Sequence, residues 1–192
     1  MADRQLPDAA LLRKLLRYDA ETGKLFWLPR TPDLFDDDCA DRRIECTRWN
    51  SRYAGREAFT TYHDGYFTGG IKFGGKQLCL RAHRVIWCMT YGDWPEQIDH
   101  IDQDRGNNRL HNLRLATREQ NARNCGLSRR NRSGRIGVNW KASEGIWRAK
   151  IRHGGRYIEL GRFTHFADAV KAREDAERLY GYSEIHGKKR KP

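Results

Sequence analysis

Hydrophobic positions in the first half of the chain predict short elements. Four leucines near the N-terminus recur at helical spacing: Leu11, Leu12, Leu15 and Leu16. They predict a short amphipathic helix. The stretch "GYFTGGIKFGGKQLCLRAHRVIW" from Gly65 predicts a hairpin that turns at Gly74-Gly75. A helix from about Ala82 to Tyr91 should follow, because glycine and proline come next. The stretch "TPDLFDDDCADRR" predicts an acidic loop.

Alternating polar and apolar residues dominate the last third of the chain. The stretches "RIGVNW", "GIWRAKIR" and "RYIELGRF" predict three antiparallel strands, joined at "KASE" and at Gly154-Gly155. The stretch "THFADAVKAREDAERLYG" predicts a helix that Thr164 caps and Gly181 ends. Its predicted apolar face has five members: Phe166, Ala169, Ala172, Ala176 and Leu179.

The middle strand of this predicted sheet has one basic face. Strand periodicity places three cations on that face: Arg148, Lys150 and Arg152. Three other residues face the helix: Trp147, Ala149 and Ile151. A basic sheet face with a helix behind it is a plausible reader of a DNA groove.

Charge is unevenly distributed along the chain. The 192 residues are 38% hydrophobic and 32% charged, which fits a soluble protein of one or two domains. Residues 122–192 hold 18 basic and 7 acidic residues, a net +11 of the total +12. Such asymmetry predicts a polyanion-binding half, and double-stranded DNA is the expected partner. A membrane surface is disfavoured, because no basic amphipathic helix or lipidation signal accompanies the charge.

Several classes are excluded by what the sequence lacks. No apolar run approaches the length of a membrane span, and "MADRQLPDAA" has no signal-peptide core. The five cysteines form no CxxC pair, which argues against a zinc ribbon or a disulfide framework. The expected setting is the cytoplasm, that of the host cell for a phage-encoded chain. No organic cofactor is expected.

The stretch "IDHIDQDRGNNRLHNLRLATREQNARN" carries residues suited to phosphodiester hydrolysis. Such hydrolysis needs a base to activate water and a cation to stabilise the charged phosphorane. Neutral imidazole suits the base, and carboxylate or amide oxygens suit Mg²⁺. Asp99 and His100 are adjacent, and Asn112 and Asn121 follow. Strands should lie near Gln97–Ile101 and Leu113–Ala116, before a helix with a capping box from Thr117 to Gln120.

This stretch resembles the HNH endonucleases, and the phage homing-type members in particular. The matching motifs are "DH", "NNR..NL" and "T..QN", with "YDAETGKLFW", "NSRYAGREA" and "HRVIWCMTYGDWP" upstream. The resemblance implies a ββα-metal site in which Asp99 and Asn121 hold one divalent metal, with Mg²⁺ the expected ion. It implies that His100 is the general base. It also implies that Asn112 belongs to the catalytic site as the middle asparagine, bridging the loop by backbone hydrogen bonds.

Neighbouring polar residues have structural readings that we prefer to catalytic ones. Asn107 and Asn108 should supply turn geometry, and Asp102 and Asp104 should form Asx turns. Asn124 should end the helix. Two further histidines are expected to be structural or phosphate-facing: His83 and His111.

The segment from about Ser133 to Gly181 resembles an AP2 domain. The matching pieces are "GV.W", "IWRAKIR", "LGRF" and an alanine-rich helix ending in "YG". The resemblance implies a sheet that docks in the DNA major groove with a helix behind it. Glu159 stands where plant members have tryptophan, and Ile136 and Asn139 stand where they have arginines. The plant target sequence is therefore not transferred.

The predicted fold class is α+β, in four segments. These are an N-terminal HNH nuclease domain with its ββα-metal site and an N-terminal extension (1–127), a basic linker (128–135), an AP2-like three-stranded antiparallel sheet with one helix (136–182), and a basic tail (183–192). The predicted DNA-binding residues are Arg129, Arg130, Arg132, Arg135, Arg148, Lys150, Arg152 and Arg156.

The predicted function is metal-dependent hydrolysis of DNA, by nicking or by double-strand cutting, in a monomer or weak dimer. The C-terminal domain would aid site choice. Two alternatives stay open from the sequence. One is a DNA-binding regulator whose nuclease fold is inactive. The other is a nuclease that acts on RNA.

Overall fold

The computed structural model describes residues 5–35, 41–128 and 130–188. The chain divides into two compact units, and each is described by itself. The first comprises residues 1–100 and 104–115, and the second comprises residues 101–103 and 116–192. The border between Leu115 and Ala116 differs from the predicted border at residue 127. The helix of the HNH-like motif therefore lies in the second unit.

The first unit is built from short elements in small antiparallel sheets. Helices α1, α2 and α3 span Ala9–Leu15, Arg42–Tyr53 and Ala82–Tyr91. Strands β1 to β8 span Leu16–Asp19, Lys24–Trp27, Glu57–Ala58, Thr61–His63, Tyr66–Phe73, Lys76–Arg81, Ile98–His100 and Leu113–Leu115. Two 3₁₀ turns span Pro32–Leu34 and Leu110–Asn112. The strands form three sheets, β1-β2-β3, β4-β5-β6 and β7-β8.

The core of the first unit is where the hydrophobic pattern placed it. The predicted hairpin is β5-β6, which turns at Gly74-Gly75, and the predicted helix is α3. Both predictions are confirmed. Leucines of α1 and β1 pack with residues of the hairpin and of α3 in one buried cluster, which includes Leu12, Leu16, Ile71, Val85 and Ile86.

Helix α2 was not predicted, because its sequence has no apolar stripe. Its start is determined locally: the Asp41 side chain accepts hydrogen bonds from the backbone N–H groups of Arg43 and Ile44. Asn50 then ties the helix to Arg30, accepting from its N–H at 2.8 Å and donating to its carbonyl at 2.9 Å. The predicted acidic loop thus contains a 3₁₀ turn and the start of a helix, and its residues 36–40 lie outside the described residues.

The second unit contains helix α4, Arg118–Arg123, and then the predicted sheet and helix. Strands β9, β10 and β11 span Val138–Lys141, Ile146–His153 and Arg156–Phe163, and helix α5 spans Phe166–Leu179. The sheet is antiparallel in the order β11-β10-β9, so β10 is central. Its alternation follows the prediction, because Ala149 and Ile151 are fully buried while Arg152 is exposed.

Helix α5 differs from its prediction in its cap and in its inner face. The N-cap is His165, without a side-chain cap bond, rather than Thr164. Leu179 is 76% exposed, so the predicted apolar face is wrong at that end. Arg173 and Glu177 are buried in its place, because they neutralise each other across one helical turn at 2.8 Å.

A polar network holds the inner side of α5. Arg173 Nη1 donates to the Lys150 carbonyl at 2.5 Å, and Arg173 Nη2 lies 3.2 Å from His186 Nε2. Arg135 donates to Glu177 Oε2 at 2.5 Å. These charged hydrogen bonds satisfy the buried polar groups of α5 beside the apolar cluster of Val138, Ala149 and Ala169.

The predicted linker, residues 128–135, is a compact turn where it is described. The Asn131 side chain accepts from the Gly134 N–H at 2.7 Å and donates to the Arg135 carbonyl at 3.3 Å. The C-terminal segment is hydrogen-bonded as well: Gly187 N–H donates to the Cys125 carbonyl, and Leu127 N–H to that of Lys188. Within the described ranges, no helix has the length and apolar character that a membrane span requires.

Candidate functional site

Strands β7 and β8 form the two-stranded part of the candidate site. They pair with His100 opposite Leu113 and Asp99 opposite Arg114. Asp99 and His100 are both buried, although they project to opposite faces of the strand. A buried carboxylate beside a buried imidazole needs partners. The loop between the strands supplies Asn108 for the imidazole, and strand β8 supplies Arg114 for the carboxylate.

Asn108 holds His100 in one orientation. His100 Nε2 lies 3.2 Å from Asn108 Oδ1, and both residues are buried. An amide oxygen only accepts, so this contact assigns the proton to Nε2. Nδ1 then carries the lone pair that a general base uses. The expectation that Asn108 serves only turn geometry is therefore wrong. An asparagine eight residues after the histidine was its only sequence signal.

Aromatic and cationic side chains surround the His100 ring. The His83 ring meets it edge-on, with ring centroids 4.9 Å apart, and the Tyr66 centroid lies 6.0 Å away. The guanidinium groups of Arg81 and Arg105 lie over the Tyr66 ring, at 4.3 and 4.7 Å. Burial, and then the positive charge nearby, lower the pKa of His83 to about 2, so His83 is neutral.

Arg114 neutralises Asp99 across the two strands. Its Nε and Nη2 both donate to Asp99 Oδ2, at 3.0 and 2.7 Å. The carboxylate side chain is 10% exposed, whereas the arginine side chain is 45% exposed. The cation therefore approaches from the solvent side, and it can leave more readily than the carboxylate can move.

The loop that carries Asn108 is braced at two places. Asn112 Nδ2 donates to the Asn107 carbonyl at 2.8 Å, which is the loop-bridging bond expected of Asn112. The Tyr18 hydroxyl donates to the Asn108 carbonyl and accepts from the Leu110 N–H. The loop also packs on Gly23, where φ is +76° and an added Cβ would lie 2.9 Å from the Arg109 nitrogen.

Asn121 lies on α4, in the second unit. The predicted capping box is present: Thr117 Oγ1 accepts from the Gln120 N–H at 3.2 Å, and Gln120 Oε1 accepts from the Thr117 N–H at 2.8 Å. Asn124 is the C-cap, as expected. The two predicted metal ligands thus belong to different units, and a joint role for them stays a prediction.

Magnesium makes modest demands, and the donor types present can meet them. No group of three His, Cys, Asp or Glu side chains that could hold a metal occurs among the described residues. Mg²⁺ nevertheless often binds through one or two carboxylates, completing its shell with water and substrate phosphate oxygens. Asp99 is a buried carboxylate of this kind. The site fits a divalent cation when the Arg114 guanidinium gives way on Asp99 Oδ2.

The predicted DNA-binding residues fall into four sets. Arg129 lies outside the described residues. Arg135 does not fit the prediction, because the buried carboxylate of Glu177 holds its guanidinium. Arg148 fits the prediction only in part, because Glu144 accepts two hydrogen bonds from its guanidinium, at 2.6 and 2.9 Å. The others remain at least partly exposed: Arg130, Arg132, Lys150, Arg152 and Arg156.

Comparison with known proteins assigns a class to the middle of the chain. Residues 80–123 match the family model of the HNH endonucleases. Protein 3.8 of Escherichia phage T7 is 35% identical over 78 residues, which are 40% of this chain and 64% of that protein. The match therefore covers less than two thirds of this relative. No solved structure matches the chain.

The HNH domain lies in the middle of the chain, rather than at its N-terminus as predicted. The matched residues run from the end of β6 through α3 and the β7-β8 pair to α4. They include Asp99, His100, Asn112 and Asn121. HNH nucleases generally use a divalent metal. The three-stranded sheet with α5 lies outside the matched residues, and its likeness to AP2 domains stays a prediction.

Proposed function

We propose that this protein is a metal-dependent endonuclease that hydrolyses phosphodiester bonds of double-stranded DNA. The observation that carries the proposal is the orientation of His100 within a segment that matches the HNH endonucleases. The Asn108 contact leaves the basic nitrogen at Nδ1, and Asp99, whose carboxylate is buried, immediately precedes His100. These are the two groups that hydrolysis needs first.

His100 is the general base of the proposed reaction. Nδ1 removes a proton from a water molecule, whose oxygen attacks the phosphorus while the bond to the leaving oxygen breaks. Asn108 keeps the imidazole aligned and accepts from Nε2–H as the ring becomes positively charged. His83 stays neutral beside it, so it adds no positive charge that would oppose this change.

Asp99 and Asn121 are the proposed ligands of the divalent metal, with Mg²⁺ the expected ion. When bound, the metal stabilises negative charge on the phosphorane and on the leaving oxygen. Asn112 contributes indirectly, because its bond to the Asn107 carbonyl braces the loop that presents Asn108. It is a positioning residue rather than a base.

The second unit is the proposed duplex-binding part. Its sheet exposes cations on the face opposite α5, and residues 122–192 carry a net charge of +11. An AP2-like docking of that face would position the duplex and aid the choice of site. The alternative function is a DNA-binding regulator with an inactive nuclease fold.

Incubation with supercoiled plasmid distinguishes these functions. The wild-type protein should nick or linearise the plasmid with Mg²⁺, and EDTA should prevent this. His100→Ala should abolish cleavage while leaving the affinity for duplex DNA within about twofold, because the imidazole acts in the chemical step. His63→Ala is the matched control, since that histidine is exposed and lies in the same unit. Intact plasmid with wild-type protein and Mg²⁺, despite tight binding, would favour the regulator.

A further inference from the structure

The second unit has a groove at the edge of its sheet, and two of the predicted DNA-binding residues, Arg130 and Arg132, lie in it. The groove lies beside edge strand β9, between that strand and the turn that follows α4. It is an open groove of about 660 Å³, within the range of about 300–1,000 Å³ that small-molecule sites occupy. Six of its lining residues matter here: Arg130, Asn131, Arg132, Asn139, Trp140 and Trp147.

Trp140 forms a flat, held platform in this groove. It is 49% exposed, and its ring centroid lies 5.2 Å from that of Trp147. The Trp147 ring is fixed in turn by Phe166 of α5, at 4.7 Å. A half-exposed indole that is supported from behind can stack on a planar ligand with little loss of side-chain freedom.

Trp140 lies on the opposite face of the sheet from the basic residues of β10. Trp140 is paired with Trp147 across β9 and β10, and Arg148 is paired with Asn139. Neighbouring residues of a strand project to opposite faces, so Trp140 shares the α5 side with Trp147. A duplex docked on the basic face would not bring its stacked bases to this indole.

The polar lining favours an anionic ligand. Arg130 and Arg132 are exposed, and no carboxylate occurs among the described lining residues. Asn131 is bonded within its own turn, which keeps the backbone between the two arginines compact. Guanidinium groups bind phosphates, and an indole binds the face of any base.

We propose that this groove binds an unstacked nucleotide of single-stranded DNA. Its base stacks on Trp140, and the adjoining phosphates contact Arg130 and Arg132. The site is separate from the nuclease chemistry, so it goes beyond the proposed function. A protein segment is the competing occupant, and unchanged oligothymidylate affinity in Trp140→Ala would favour it.

Binding of a labelled oligothymidylate, measured by fluorescence anisotropy in EDTA, tests the proposal without cleavage. Trp140→Ala should weaken binding at least about fivefold, because stacking of one base on an aromatic ring contributes that much or more. Trp140→Phe should retain most of the affinity. The control is Tyr91→Ala, which removes another exposed aromatic ring, 58% exposed and packed on a tryptophan. It should bind like the wild type.

An abasic oligonucleotide of the same length separates the base from the phosphates. It should bind the wild type several-fold more weakly than oligothymidylate does, and Trp140→Ala should weaken it no further. Duplex affinity should change less than twofold in Trp140→Ala. The proposal is overturned by unchanged oligothymidylate affinity in Trp140→Ala, by equal losses for duplex and single strand, or by equal affinity for abasic and thymidine strands. If the protein cleaves no DNA but shows this binding pattern, the nucleotide site stands and only the proposed nuclease function fails.

Discussion

Arg114 places two N–H groups on a single oxygen of Asp99, from the strand position directly opposite. The guanidinium therefore occupies Oδ2, one of the two carboxylate oxygens that the proposed metal could use. Two cations beside one carboxylate repel each other, so a divalent ion and the guanidinium would compete for Asp99. Exposure of the arginine side chain lets it turn towards solvent, or towards a bound phosphate, when the metal enters.

Removing the charge at Arg114 should strengthen metal binding in the absence of DNA. Arg114→Gln keeps a side chain of similar shape but removes the competing cation, so Mn²⁺ affinity should rise about three- to tenfold. Calorimetry, or Mn²⁺-induced water-proton relaxation, measures this without catalysis. Arg17→Gln serves as the control, because Arg17 contacts the Phe26 ring instead. An unchanged or lower affinity in Arg114→Gln would show that the arginine supports the metal site.

Asn108→Leu should slow cleavage by about 10- to 100-fold without a comparable rise in KM, because the acceptor that orients His100 is lost. Asn108→Asp should preserve the orientation while stabilising the imidazolium. Deprotonated His100 is the active form, so the acidic limb of the pH–rate profile should move to higher pH. Rates measured from pH 5.5 to 9 test both variants, with Gln77→Leu on β6 as the control, because that amide is exposed. Wild-type rates in Asn108→Leu would show that the contact between Asn108 and His100 has no role in the reaction.

The stability of the second unit should decrease as the pH falls below neutrality. Burial, followed by the charge of Arg173, lowers the pKa of His186 to about 4. His186 also faces Cys125, Glu177 and the Tyr182 ring. The unfolded chain takes up the proton near pH 6.5, whereas the folded unit does not. The stabilisation is therefore complete above 6.5, and it is lost progressively as the pH falls towards 4.

This linkage gives a loss of about 1.4 kcal/mol between pH 8 and pH 5.5. Hydrogen exchange of the Ile151 amide in the full chain reports the free energy of opening of this unit. In His186→Gln, the part of the pH dependence due to this residue should disappear. His165→Gln, which removes an exposed imidazole, should leave it unchanged. Identical pH dependence in His186→Gln and the wild type would contradict the assignment.

A chain ending at residue 127 should retain the first unit but lose helix α4. Glu119 accepts from the Gly154 N–H, and the Cys125 carbonyl accepts from the Gly187 N–H, so truncation removes both donors. The amide of Asn121 should exchange at least about tenfold faster in the truncated chain, while Ile71 exchanges as in the full chain. Full protection of Asn121 after truncation would restore the predicted border at residue 127.

Salt dependence should separate the cations of β10. Lys150→Ala and Arg152→Ala should each flatten the slope of log affinity for duplex DNA against log salt by about 0.9, the value for one phosphate contact. Arg148→Ala should flatten it less, because Glu144 already holds that guanidinium. Lys171→Ala, on α5, is the control. Equal effects of all four substitutions would indicate diffuse attraction rather than docking of this face.

The sequence alone was sufficient for elements whose pattern is local. Helix α3, the β5-β6 hairpin, the three C-terminal strands and the capping box at Thr117 all follow from hydrophobic spacing and turn residues. Motif spacing likewise placed the HNH segment. Such signals are visible because neighbouring residues along the chain determine them.

Tertiary contacts decided what spacing could not. Asn108 had the composition of a turn residue, but the fold buries its amide against His100, and Arg114 meets Asp99 only because β7 and β8 pair in one register. Arg173 and Glu177 lie outside the predicted apolar face of α5, and the fold buries them against the Lys150 carbonyl and Arg135. In each case the free energy of a buried polar group depends on a partner distant in sequence, and local periodicity contains no information about that partner.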